Sequence, residues 1–185
     1  MKTQYYTATS LDGFIADEHN SLDWLFQFGE VEGDSYGNFL REIGAIAMGS
    51  TTYEWILAHH INQDADCPQT WMYEQPTWVF SSRNLPAIAG ANIRFVKGDV
   101  RQFHQEMLAV AGDKNIWLVG GGDLVGQFYD NRLLDEIIVS IASVTLGSGA
   151  ALLPRAIITP PLKLLTATTY QDSFVELHYQ VRYDS

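Results

Sequence analysis

Positive charge is scarce in this chain. Eleven Lys and Arg stand against 22 Asp and Glu, a net charge of −11 over 185 residues. That balance excludes nucleic acid as an expected partner, because phosphate contacts need clustered cations. Cysteine is scarcer still. Cys67 stands alone between Asp66 and Pro68, which rules out an internal disulfide or a multi-cysteine zinc site and suits a plain surface thiol. No apolar run approaches the roughly 18 residues of a membrane span. The opening MKTQYYTATS lacks the apolar stretch of a secretion signal, so the expected location is cytoplasmic with no membrane partner. Catalytic and ligand motifs are missing as well. His59 and His60 are adjacent and no HExxH occurs, so a metal site is not expected. GxSxG is absent, Gly147-Ser148-Gly149 has the wrong spacing for it, and no GxxxxGK[ST] phosphate loop is present.

What remains is a 46% apolar chain with no linker or repeat to divide it, read as one domain over 1–185. Thr3 to Thr9 reads as a strand, and SLDGFIADEHN as a loop. Tyr36, Phe39, Leu40 and Ile43 recur at i, i+3, i+4 and i+7 behind an Asp34 cap, predicting a helix from Asp34 to Ile43. A strand over Ala45–Met48, a helix from Ser50 to Leu57, and strands at Thr77–Phe80 and Asn92–Val96 follow. Asp99 caps a helix whose Val100, Phe103, Met107 and Val110 share a face, ended by Gly112. Ile116–Val119 reads as a strand and the helix after it buries Leu124, Val125, Phe128 and Tyr129. Glu136–Ala142 is a strand opened by a surface acidic pair, Asp135-Glu136. VTLGSGAALLP is a loop, and Phe174–Tyr183 alternates at period two, as one of an antiparallel pair at the sheet edge. Strands alternating with helices give an α/β class with a mainly parallel sheet.

Three apolar runs end in small residues: AIAMGSTT, WVFSSR and IWLVGGGDLVG. Strand ends that open into glycine and fresh helix N-termini present free N–H groups, which suits a diphosphate. Each has a plainer reading. Gly120-Gly121-Gly122 departs from GxGxxG, with Val at 125, and is equally a tight turn; Asp123 suits the helix dipole but repels phosphate. Ser50, Thr51 and Thr52 are equally N-capping hydroxyls. Ser81, Ser82 and Arg83 suit a phosphate monoester, or are a solvated loop.

In the order SLDGFIA, LDW, MGSTTYE, PTWVFSSR, WLVGGGDLVGQF, then LLDEIIVSI with VTLGSG, the chain resembles the dihydrofolate reductase-like superfamily. Within it the likeness is to the reductase domain of riboflavin biosynthesis and its stand-alone relatives. The resemblance implies a twisted, mostly parallel sheet of about eight strands, flanked by helices and closed by an antiparallel C-terminal strand pair, with NADPH across the strand ends. NADH is not excluded. It places Gly49 to Thr52, with Gly49 and Thr52 as matching positions, at the first phosphate turn. Ser81, Ser82 and Arg83 fall at the adenosine ribose and its 2′-phosphate. Gly120, Gly121, Gly122, Asp123 and Leu124 form the diphosphate turn, and Ala8 and Ile15 line the nicotinamide. Trp24 falls on the substrate side, where Asp12 or Ser140 would deliver the proton.

Two departures narrow the function. Ser50 stands where many relatives carry an Arg for the 2′-phosphate, leaving that role to Arg83. The acid that folate reductases use has no counterpart at the matching offset after Trp24, near Gly29; Glu30, Glu32 and Asp34 lie close but off register. The zinc deaminase domain found beside many riboflavin-pathway reductases cannot be built with one cysteine. The expected function is therefore hydride transfer from NADPH to a C=N or C=O of a small pterin- or pyrimidine-like heterocycle, without dihydrofolate reduction itself. A dinucleotide-binding module without turnover is the alternative, and a homodimer through the C-terminal sheet edge is expected by resemblance.

Overall fold

Near-continuous apolar runs, such as those of 45–48 and 116–118 with successive side chains buried, dictate a sheet covered on both faces. The computed structural model describes residues 1–29, 35–62, 69–170 and 172–184. Glu30, Glu32, the Asp34 cap and Cys67 lie outside the described residues. Strands β1 (Thr3–Ser10), β3 (Ile43–Gly49), β4 (Thr77–Phe80), β5 (Ile93–Val96), β6 (Asn115–Gly120) and β7 (Glu136–Ala142) run parallel. β9 (Lys163–Tyr170) and β10 (Phe174–Gln180) join antiparallel, giving the order β5-β4-β3-β6-β1-β7-β10-β9. A separate antiparallel pair joins β2 (Phe14–Ala16) to β8 (Ala150–Ala151). This is the expected α/β architecture with its antiparallel C-terminal pair.

Helices α4 (Val100–Ala111) and α5 (Gly122–Asp130) cover one face, burying Val100, Met107, Leu124, Val125 and Phe128 against Tyr5, Ala45, Ala47, Trp78, Ile116, Leu118, Ile137 and Val139. On the other face, α2 (Ser35–Arg41) and α3 (Ser50–Ile56), which runs on into a π-helical turn at Leu57–Ile61, pack on Ile43, Ile46, Met48, Val79 and Trp117. The four-residue α1 (Asp23–Phe26) sets Trp24 against Ala142 and Phe174.

Several boundaries differ from the sequence reading. Ile43 opens β3 rather than closing α2, because a register irregularity between Ile43 and Ala45 hides the strand's alternation. On α4 the buried face is Val100, His104, Met107 and Ala111, while Val110 is exposed; Thr3 Oγ1 and His104 Nε2 share a 2.8 Å hydrogen bond that lets the imidazole face the core. Burial holds the His104 imidazole below its usual pKa, against the pull of Asp135. The segments read as two loops each contribute a short strand, β2 and β8.

Only half of the Asp135-Glu136 pair is at the surface, since Asp135 is exposed and Glu136 is not. Asp135 accepts the Thr3 N–H at 2.7 Å, and Glu136 is buried. Its carboxylate accepts from Lys2 Nζ and, at 2.7 Å, from Gln4 Nε2, with His178 Nε2 at 3.0 Å. Burial opposes ionisation of Glu136, but these three partners hold its carboxyl below the usual range. The acidic pair therefore pins β1 and β10 to the amino edge of β7.

Phe128 has no exposed surface and meets the rings of Phe80 and His104 edge-on, at 6.1 and 6.0 Å between centroids. Phe128→Ala is expected to lower unfolding free energy by about 3–5 kcal/mol, read by urea denaturation.

Candidate functional site

Connections leave β3 toward β4 and β5 but leave β6 toward β7, so the carboxyl ends of β3 and β6 flank a topological switch point. Ligand crevices open at that place in α/β sheets. A cleft of about 710 Å³ opens there, within the ~300–1,000 Å³ range of small-molecule sites.

Two glycine turns meet in its floor. Gly49 and Gly121 are the N-caps of α3 and α5, both extended, and neither end has a capping side chain. A methyl group on Gly49 would lie in ordinary contact with the second turn, 3.6 Å from the Gly121 nitrogen. One on Gly120 would lie 3.7 Å from Thr52 Oγ1 and 4.0 Å from Ile15 Cδ1. Gly120 has φ +141°, a left-handed conformation that glycine alone adopts cheaply. The Gly120–Gly121 peptide is cis. Gly122 admits no side chain at all, since a Cβ there would sit 2.4 Å from Ala151 O and 2.6 Å from Leu152 O. Backbone thus meets backbone, and the first turn of α5 closes on the Gly121 carbonyl, which accepts the Leu124 and Val125 N–H groups at 3.1 and 3.2 Å; the Gly122 and Asp123 amides ahead of them have no intrahelical carbonyl to reach. The hydroxyls of Ser50 to Thr52 are spared from capping α3.

Ten of the expected cofactor positions line this one cleft: Ile15, Gly49, Ser50, Thr51, Thr52, Gly120, Gly121, Gly122, Asp123 and Leu124. Ser81, Ser82 and Arg83 stand beside it, just past Phe80, which lines the wall. Ser81 Oγ is engaged in its own turn, accepting the Arg83 N–H at 2.9 Å. Arg83 reaches back to α3, donating to both Glu54 carboxylate oxygens at 2.9 and 2.6 Å and to Ser50 Oγ at 3.1 Å. With the Arg83 side chain 56% exposed, such a pair adds only about 0–1 kcal/mol of stability. It fixes where charge sits.

The other expected positions stand off the wall. Ala8 faces away and packs on the cluster of Trp24, Ala142 and Phe174. Trp24 itself is 9% exposed, within that cluster. Ser140 donates to Glu176 at 3.3 Å, on the β7–β10 ladder. Asp12 clamps a loop: it accepts from Ser10 Oγ at 2.6 Å and from the N–H groups of Leu146 and Gly147 at 3.0 and 2.7 Å.

Residues unassigned from sequence complete the far end of the cleft: Asn20, Leu22, Trp55, His60, Met72 and Tyr73. Trp55 is stacked between His59 and Phe26, with centroids at 4.5 and 5.9 Å. Burial, then the neighbouring Tyr36, pushes the Tyr73 hydroxyl up, so it stays protonated at neutral pH. Among the described lining residues there is no Lys or Arg, and no group of His, Cys, Asp and Glu suited to a metal occurs among the described residues. Nor is any described helix long and apolar enough to cross a membrane.

The RibD C-terminal domain model matches residues 54–175. The chain belongs to that family. It is 32% identical to the YwjB protein of Bacillus subtilis (strain 168) over 96% of this chain and 97% of that one. Among solved structures it is similar to a putative riboflavin biosynthesis protein from Shewanella sp. PV-4, with TM-score 0.79 and 24% identity, covering 98% of this chain and all of that one. A pyrimidine reductase-like protein from Corynebacterium diphtheriae matches at TM-score 0.65 and 15% identity, over 99% and 92% of the two chains. The expected superfamily and fold are thereby borne out, and membership of the RibD C-terminal domain family supports a reductase-type enzyme.

The Asp12 clamp titrates. Its Ser10 bond, opposed by desolvation and reinforced by the Leu146 and Gly147 amides, lowers the carboxyl from 3.8 to about 2. A depressed folded-state pKa stabilises fully above 3.8, and the gain is lost as pH falls through about 2. Asp12→Asn is expected to melt below the wild type at neutral pH. Thermal midpoints followed against pH should converge near pH 2.

Proposed function

We propose that this protein transfers hydride from a reduced nicotinamide dinucleotide to a C=N or C=O of a small, planar, pterin- or pyrimidine-like heterocycle that carries no phosphate. The observation that carries this reading is the junction of the Gly49–Thr52 and Gly120–Leu124 turns in one cleft at the switch point. When bound, the nicotinamide supplies the hydride. The α5 amides and the Thr51 and Thr52 hydroxyls would hold the diphosphate, with Ser50 toward the adenosine end, where its Oγ meets Arg83. Ile15 packs beside the nicotinamide. Trp55, Tyr73, Leu22 and Met72 form the apolar wall for the substrate ring and exclude water. The absence of cations from the described wall favours an uncharged substrate, which sets it apart from phosphoribosyl compounds.

The proton for the reduced atom comes from the Tyr73 hydroxyl or His60, the ionisable groups toward that end, rather than from Asp12 or Ser140. Off-wall placement of Asp12 and Ser140 also favours the second reading, a module that binds dinucleotide without turnover. The setting is cytoplasmic. β9 is exposed along nearly its whole length, with Leu164 at 52%, and such an edge calls for cover by a second copy.

Two measurements test these statements. Dinucleotide binding followed by consumption with any member of a pterin, pyrimidine and imine panel supports the reductase; binding without consumption supports the module; failure to bind removes both. Light scattering should give twice the 20.7 kDa chain mass, and Leu164→Arg should return it to monomer.

A further inference from the structure

The Arg83 guanidinium is already paired, with three of its five N–H donors engaged. The fork donates to both oxygens of Glu54, and Nη2 donates also to Ser50 Oγ. Ser50 and Glu54 lie four residues apart on α3, so one helix face presents both to the loop beyond β4. The result is an electrically balanced pair where the adenosine end of a dinucleotide would rest, if its diphosphate lies over the two glycine turns. Position 50, where a second cation would help, holds a hydroxyl.

The two cofactors differ at this point by one group. A 2′-phosphate brings about −1.5 to −2 charges, in a chain whose net charge is already −11. To reach Arg83 it must displace a carboxylate that remains tethered to the same helix, a few ångströms away. A free ribose meets no such repulsion, and a carboxylate is the group that accepts from its 2′-hydroxyl in dinucleotide folds.

We propose that Glu54 makes this protein select a dinucleotide with a free 2′-hydroxyl, NADH over NADPH, with Arg83 orienting Glu54 instead of receiving a phosphate. The inference rests on the dinucleotide reading of the cleft and departs from the NADPH expectation that the resemblance carries. Glu54 is a specificity residue outside the chemistry, so its effect belongs in affinity ratios.

The experiment is calorimetric titration of the wild type and Glu54→Gln with NADH and with NADPH, at low and at moderate salt. The wild type is expected to bind NADH about tenfold more tightly. Glu54→Gln keeps the side-chain size, removes one charge and frees Arg83. It should move the ratio toward NADPH by about tenfold or more, as one unit charge near a protein surface does, and less at moderate salt. A wild type that prefers NADPH, or a ratio left within twofold by Glu54→Gln, overturns the proposal while the cleft reading stands. No binding of either dinucleotide sinks the cleft reading and this selectivity with it.

Discussion

The carboxyl edge of this protein depends on main chain touching main chain. Where α5 begins, the missing side chain of Gly122 lets the carbonyls of Ala151, in β8, and Leu152, just after it, come within van der Waals distance, and Gly121 lies against Gly49 from β3. Gly149 repeats the device one loop away, with the Ala16 carbonyl occupying the space a Cβ would need. Three chain segments far apart in sequence are thereby locked together. The amides and hydroxyls they expose inherit their positions from that lock, with no side chain reaching in.

Charge is handled differently at the two edges of the sheet. At the amino edge a carboxylate is buried and satisfied, with Lys2, Gln4 and His178 converging on Glu136. At the carboxyl edge the acids stay near water, and the described cleft wall carries no Lys or Arg. Neutral donors are what such a wall can offer to an anion, which is why the glycine turns and hydroxyls matter more here than the chain's few cations.

Much of the fold was legible because periodicity reports burial. Glu136–Ala142 matched the observed strand residue for residue, since its apolar run is nearly continuous, as covering on both faces requires. Ile43 misled because its spacing from Tyr36 fits a helical turn while the irregularity at Gly44 breaks the strand's own pattern. β2 and β8 carry no local signature, being two or three residues ordered by pairing across more than a hundred positions. The glycine turns were visible as motifs. Trp55 sits on the expected helix α3 but in no motif, and His60 and Tyr73 were hidden because a π-helical turn and an irregular segment carry them, and neither has a sequence period. Glu54 stood in a quoted motif, yet its meaning appeared only with Arg83 folded onto it.

Strand order has a consequence for biosynthesis. β1 lies in the middle of the sheet, but its neighbours are β6 and β7, with Thr3 beside Ile116 and Gln4 beside Glu136. At ~5–20 residues per second on the ribosome, β1 waits on the order of ten seconds for a partner. During that interval its aromatic pair, Tyr5 and Tyr6, has no sheet to join. The earliest folding unit is therefore the β3–β4–β5 half, with the amino-terminal strand threading into the gap as β6 and β7 arrive.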